Sequence, residues 1–374
     1  MRWYVFTLLI GSVLGCPAFA VTDSQPIRVG LIIQETRQDH LTPNPWGIQQ
    51  KHGFELALKG SKNVTWTVKD DFESALVARD KATEFVKEGV DLVAGLSFSD
   101  QAIAVKQQTQ AAGIPYIAVF ATSEKLFDKD ESVFSMATPD DGQVARLVKY
   151  LSKLRTLPKS GVGLIVARNS EYGVDMERAL KAALKKQRIV INQYPDILRG
   201  RPVPHDYFKA PVTNQVIAVL AYEIEGLSVV NALGSQNFDG IVLGGDTWST
   251  QTMQVAANLG LLSKICLVNP VSYDANATTP VNRKFVSDYK RRFGDIPTDV
   301  AALAYDAGML ITKAAEKCAI ATNRKLCLSR EIAKTRFQGV SGDVRFSRSG
   351  RRIEPGMLLK SAACAARERQ YGLR

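Results

Sequence analysis

Histidine is scarce: the chain carries only His40, His52 and His205, all in polar or Pro-rich surroundings. A triad base would have to be one of these three. No C-x-x-C and no His-Cys cluster occurs, so a zinc site is not expected, nor any other metal. There is no Walker loop, and Gly161-Val162-Gly163 lacks the third glycine of a dinucleotide fingerprint. Gly95-Leu96-Ser97-Phe98-Ser99 ends in serine where a nucleophile elbow needs glycine. Without these signatures the chain does not read as an enzyme, and no cofactor is expected.

Long apolar runs are also missing beyond the N-terminus. There, Arg2 supplies a positive n-region, Tyr4 to Leu14 is apolar, and Ala18-Phe19-Ala20 is a small-x-small cleavage signal. This reads as a secretory signal peptide over residues 1–20, cleaved after Ala20, which places the mature protein in the periplasm. A retained anchor needs about 20 apolar residues, whereas Gly11, Gly15, Cys16 and Pro17 interrupt this run. A lipid anchor at Cys16, through Val13-Leu14-Gly15-Cys16, is the minor alternative, poorly served by Leu14 and the following Pro17.

What is present is an ordinary globular composition: 45% hydrophobic, 8% aromatic and 23% charged among 374 residues, enough for two or three folding units or one two-lobed protein. The formal charge is +11, or +10 once residues 1–20 take Arg2 and no acid with them. The basic residues sit among acids as solvated helical stripes, such as Lys181, Lys185, Lys186 and Arg188, without interleaved aromatics, so nucleic acid is not an expected partner.

Four cysteines remain after cleavage. Cys318 ends one helical pattern and Cys327 opens the next, so a disulfide between them is expected in an oxidising compartment. Nothing in the sequence brings Cys266 and Cys364 together, and both read as buried free thiols.

Short β-branched runs alternate with amphipathic stretches, the βαβ rhythm of parallel sheets. Strands are expected at Ile27 to Ile33, Val64 to Lys69, Val90 to Ala94 and Pro115 to Val119, then at Gly161 to Val166, Arg188 to Ile191, Val216 to Leu220 and Gly240 to Leu243. Helices fall at about Trp46 to Lys59, Glu73 to Lys87, Asp100 to Ala111, Glu171 to Lys186 and Glu225 to Ser235. Longer helices follow at Pro280 to Phe293, Thr298 to Cys318 and Ser329 to Arg336, with short strands at Asp343 to Phe346 and Met357 to Leu359, while the tail from Ala362 shows no clear period. The fold class is α/β: two doubly wound parallel-sheet lobes joined by a three-strand hinge. Phe134 to Pro139, Leu267 to Asp274 and Gly342 to Phe346 are the candidate crossings. The N-terminal lobe is expected to hold residues 21–139 and 273–342, the C-terminal lobe 140–272 and 343–374.

Doubly wound sheets bind ligands beyond the carboxyl ends of their strands. Those loops hold Ser97 and Ser99, Thr122 and Ser123, Tyr172, Glu223 and Glu225, and Asp246-Thr247-Trp248. Hydroxyls and backbone N–H groups at helix N-termini suit a carboxylate, an opposing Glu225 suits an ammonium, and Trp46 and Tyr172 offer aromatic walls. Each has a plainer explanation: Ser99, Thr122 and Ser170 are good N-caps, Glu225 complements the first turn of its helix, and Trp46 fits a core.

Several stretches in order along the chain resemble the type I periplasmic binding proteins of the leucine/isoleucine/valine-binding group. They are Ile27-Arg28-Val29-Gly30, Trp46-Gly47 with Gly53-x-Glu55-Leu56-Ala57, Gly95-Leu96-Ser97-Phe98-Ser99, Gly113-Ile114-Pro115-Tyr116-Ile117 leading to Ala121-Thr122, and Glu171-Tyr172-Gly173. Tyr289 to Phe293, Ala304-Tyr305-Asp306-Ala307 and Phe337 to Phe346 complete the series. The resemblance implies hinge closure on a small amino-acid-like or carboxylate-bearing solute, delivery to an ABC transporter permease, and a monomer. It implies that Ser97, Ser99, the Phe120 backbone and Thr122 hold a carboxylate, that Glu225 holds an ammonium with help from Asp246, and that Trp46 and Tyr172 line the pocket. A sensor or catabolism-associated protein of the same fold, docking on a receptor, is the alternative. Phe120 stands where relatives carry a small residue, and Arg199-Gly200-Arg201-Pro202-Val203-Pro204 replaces a helix, so the cleft is expected to be reshaped.

Overall fold

The computed structural model describes residues 25–372 except 97, 128–131, 156–158, 249 and 354–355, and no side chain at 250 or 251. The expected signal peptide, Cys16 and Ser97 therefore lie outside the described residues.

The first half builds β1 (Ile27–Ile33), α1 (Pro45–Leu58), β2 (Val64–Asp70), α2 (Ala75–Glu88), β3 (Leu92–Gly95), α3 (Ser99–Ala111), β4 (Tyr116–Ala118) and β5 (Val133–Ser135). These strands form one parallel sheet in the order β2-β1-β3-β4-β5. β1 is a continuous apolar run with only Arg28 exposed, as a central strand covered on both faces must be. The chain then makes α4 (Asp140–Ser152), β6 (Val162–Val166), α5 (Glu171–Lys186), β7 (Ile191–Gln193), β8 (Val216–Leu220), α6 (Glu223–Ser235), β9 (Ile241–Leu243), α7 (Thr250–Asn258) and β10 (Cys266–Val271). After α8 (Pro280–Phe293), α9 (Asp299–Cys318) and α10 (Arg324–Lys334) come β11 (Phe337–Gly339), β12 (Gly342–Val344), β13 (Met357–Lys360) and α11 (Cys364–Gln370). The second sheet runs β13-β10-β9-β8-β6-β7, parallel except for β13. Among the described residues no helix is long and apolar enough to cross a membrane.

Each sheet is sandwiched. Alternate residues of β1 and β3 divide between two cores: Val29, Leu31 and Leu92 pack with α1, α9 and α10, while Ile32 and Val93 pack with α2 and α3. The second sheet divides likewise between α4 with α5 and α6 with α7. Two sheets with separate cores make two lobes. The chain passes from β5 to α4 through residues 136–139, and from β10 to α8 through residues 272–279. It returns to the second sheet only after Phe346, which packs edge-on against Phe134 in the first core.

Two expectations about the chain's end change. The tail is ordered by β13, which pairs antiparallel with β10 and leads into α11. That return places Cys364 beside Cys266 with Cα atoms 4.3 Å apart, and the two form a disulfide where free thiols were expected. Their approach depends on pairing across 98 residues of sequence, which local pattern does not encode. The expected Cys318–Cys327 disulfide is present.

Candidate functional site

Each sheet reverses its strand order once, at β1/β3 in the first and at β6/β8 in the second. Loops diverge at such a point and leave a crevice at the strands' carboxyl ends. The two crevices face each other, and the loops after β1 and β3 meet those after β6 and β8 around a cavity of about 710 Å³. That volume lies in the range of small-molecule sites, ~300–1,000 Å³.

From the first lobe, the N-terminus of α1 places Trp46. Asn44 caps the helix by accepting the Trp46 backbone N–H at 3.0 Å, and Pro45 at the first turn has no N–H to lose. The Trp46 indole N–H then reaches across to Glu223 Oε2 at 3.3 Å, which also accepts from Thr252 at 2.9 Å. Gly95 sets the direction of the following loop: its φ is 128°, and a Cβ there would stand 2.0 Å from the Ile32 carbonyl oxygen.

A line of five aromatic rings crosses from lobe to lobe. Phe120 lies edge-on to Trp46 at 5.4 Å; Trp46 is nearly parallel to Phe98 at 5.9 Å; Phe98 meets Tyr222 edge-on at 4.8 Å; and Tyr222 lies 5.2 Å from Tyr172. Trp46, Phe98 and Tyr222 form cavity walls, while Phe120 and Tyr172 support them from behind. Gly245 makes room for Tyr172, since a Cβ there would overlap its hydroxyl at 1.6 Å.

The charged lining centres on Arg199, in the helix-free loop 198–204. Its guanidinium lies 4.2 Å from the Phe98 centroid and 4.9 Å from that of Tyr222, and Nη1 donates to Asp100 Oδ2 at 3.2 Å. Asp100 also accepts the Glu171 backbone N–H at 3.3 Å. Burial raises the Asp100 carboxyl above the ordinary range, and Arg199 opposes that rise. Lys125 with Glu171 at the surface and Ser123 with Asp175 in the interior add further contacts between the lobes.

Glu225 lines the cavity and also completes its helix start. Oε1 accepts the Tyr222 N–H at 3.0 Å and Oε2 the Gly200 N–H at 3.2 Å, with burial holding its carboxyl above the usual range. Of the other expected residues, Ser99 opens α3 and is buried off the cavity. Thr122 and Asp246 are also buried, and with Tyr172 they gather around Asp140. Burial pushes Asp246 up to about 8 and Asp140 well above the carboxylate range. Of the expected set, Trp46 and Glu225 thus stand at the cavity, Thr122, Tyr172 and Asp246 form a buried polar cluster beside it, and Phe120 backs the wall.

Sequence reading did not single out Arg199, Asp100, Phe98, Tyr222 or Glu73. Phe98 lies inside the serine-loop stretch that carried the resemblance, and Arg199 inside the loop noted as a departure, but neither was assigned a role. What pairs them is the closed approach of two loops 101 positions apart, a tertiary fact.

Two doubly wound lobes closing on a crevice at both switch points define a bilobal binding protein of type I. The family model described as periplasmic binding protein matches residues 26–362, and the chain belongs to that family. It is 22% identical over 246 residues to the Leu/Ile/Val-binding protein homolog 7 of Brucella suis, a match covering 62% of this chain and 61% of that protein's length. Among solved structures, it resembles the substrate-binding protein LivJ of Streptococcus pneumoniae in complex with isoleucine, with TM-score 0.74 and 21% identity over 90% of this chain and 95% of that one. The leucine-binding protein LivK of Thermotoga maritima gives TM-score 0.75 at 18% identity, over 90% and 98% of the two chains. A solute-binding protein of an ABC transporter from Rhodopseudomonas palustris, in complex with 3,4-dihydroxybenzoic acid, gives 0.73 at 17%, over 87% and 90%.

Proposed function

We propose that this protein is a non-enzymatic solute-binding protein of the periplasm, exported by a signal peptide cleaved after Ala20, that captures a small carboxylate-bearing or amino-acid-like solute between its lobes. The observation that carries this reading is the aromatic-walled cavity at the facing switch points, lined from both lobes. A solute there is gripped by groups on both sides, so binding favours the closed form. The closed form, acting as a monomer, is what a membrane permease of an ABC transporter would receive. Relatives and neighbours of this fold include amino-acid and aromatic-acid binders, which supports the solute class.

The site in this reading has Trp46 and Glu225 at the cavity, Phe120, Thr122, Tyr172 and Asp246 behind its wall, and Ser97 and Ser99 as further candidates. Helix N-termini would receive the carboxylate; where the solute carries an ammonium, Glu225 is its acceptor, with Asp246 assisting from behind the wall. The lobes divide at 139/140 and 272/273 as expected, while the third boundary, expected at 342/343, is drawn past Phe346, because Val344 and Phe346 pack in the first core.

Thermal-shift screening against amino acids, aromatic acids, amides and urea-like solutes tests the capture. At 100 times its dissociation constant, a ligand stabilises the folded state by about 2.7 kcal/mol, a readily visible shift. A library in which no solute raises the melting temperature of the folded protein would contradict the reading.

A further inference from the structure

The lining of the cavity has an uneven supply of unused hydrogen-bonding groups. Each of its carboxylates already has protein donors: Asp39 from Thr42 and Leu41, Glu73 from Asn44, Asp100 from Glu171, Glu223 from Trp46 and Thr252, and Glu225 from two backbone N–H groups. The guanidiniums are less engaged. Arg199 uses Nη1 toward Asp100, Arg37 stands 3.9 Å from Glu73, and among the described residues Arg201 has no side-chain partner. The guanidiniums thus keep most of their N–H donors unused, and a carboxylate ligand satisfies them.

Arg199 is also held in a fixed plane. Phe98 and Tyr222 pack on it, so its remaining N–H groups point along defined directions, and Trp46 stands nearly parallel to Phe98 as a further flat wall. A planar guanidinium of this kind matches a carboxylate two bonds at a time, and flat walls match a ring. Five carboxylates against three guanidiniums make a cationic solute the competing class, and agmatine represents it in the test below.

We infer that Arg199 selects the ligand of this site, and that the ligand is an aromatic carboxylate without an ammonium group. This rests on the capture reading above and narrows it. On binding, the ligand's carboxylate takes the open N–H groups of Arg199 while Asp100 keeps Nη1, so the arginine joins solute and both lobes.

The test is calorimetric titration of benzoate, 4-hydroxybenzoate, phenylalanine, leucine and agmatine into the wild-type protein and the Arg199→Gln and Arg199→Lys variants. At least one aromatic acid is expected to bind about tenfold or more tightly than phenylalanine, and Arg199→Gln to weaken it about 30-fold, as loss of a charged hydrogen-bonding partner does. Arg199→Lys keeps the charge but not the plane, and is expected to recover part of the loss. The inference is overturned if phenylalanine, leucine or agmatine binds more tightly than both acids, or if Arg199→Gln leaves acid binding within threefold. An amino acid as the best ligand would leave capture standing; no binding by any of the five would remove both.

Discussion

The guanidinium of Arg199, on the second lobe, lies 4.2 Å from the ring centroid of Phe98, on the first, while paired with Asp100 at 3.2 Å. A cation, an aromatic face and a carboxylate thus join the lobes where their loops meet.

That contact bears on closure in the absence of ligand. A cation–π pair contributes about 0.5–2 kcal/mol, enough to shift an open–closed balance by roughly 2- to 30-fold. Phe98→Ala is expected to increase the radius of gyration of the ligand-free protein in small-angle X-ray scattering. An unchanged scattering curve would show that closure does not depend on this pair.

The two disulfides differ in the loops they close. Cys266–Cys364 spans 98 positions and Cys318–Cys327 nine. In the chain-entropy account, the first contributes about 4–5 kcal/mol and the second about 2–3. Denaturant unfolding of Cys266→Ala/Cys364→Ala should therefore show a larger loss than Cys318→Ala/Cys327→Ala. Equal losses would indicate that native-state packing, not loop closure, sets both.

Asp246 links stability to pH. Burial raises its carboxyl from 3.8 to about 8, so the folded protein holds a proton that the unfolded chain releases above pH ~4. Stability therefore falls as pH rises from about 4 to about 8, at up to about 1.4 kcal/mol per pH unit for such a group. Asp71 and Asp299, each raised to about 7 by burial, act in the same sense. Asp246→Asn, which mimics the protonated form, should flatten the decline in melting temperature between pH 5 and pH 8. An unaltered slope would mean that Asp246 is ionised in the folded protein.

Gly245 lies against the hydroxyl of Tyr172, the last ring of the aromatic line. Gly245→Ala should force that ring aside and cost about 1–3 kcal/mol, as overpacking of a filled core does. Chemical denaturation measures the cost directly. A loss below 0.5 kcal/mol, taken as about the size of a surface substitution, would place the ring elsewhere.

The lobed α/β fold was legible because parallel strands buried on both faces read as unbroken apolar runs. Ile27 to Ile33 and Val216 to Leu220 have the bounds expected of them. The short edge strand β5 was hidden in a stretch read as a crossing, and α4 and α7 were not foreseen; α4 has buried polar positions such as Asp140 and Gln143 on its inward side. At the site, Trp46 was legible as an aromatic opening a helical pattern, in the stretch Trp46-Gly47 that carries the resemblance, and Glu225 because it follows a strand by a few residues. Arg199 was not, because its loop has no period and its partners Phe98 and Asp100 are brought to it only by the meeting of two lobes.

The most direct measurement is a crystal structure of the protein grown with the solute that stabilises it most. The account predicts one solute molecule per chain in the cleft, against Trp46 and within hydrogen-bond distance of groups from both lobes. An empty cleft, with the solute bound at another surface, would contradict it.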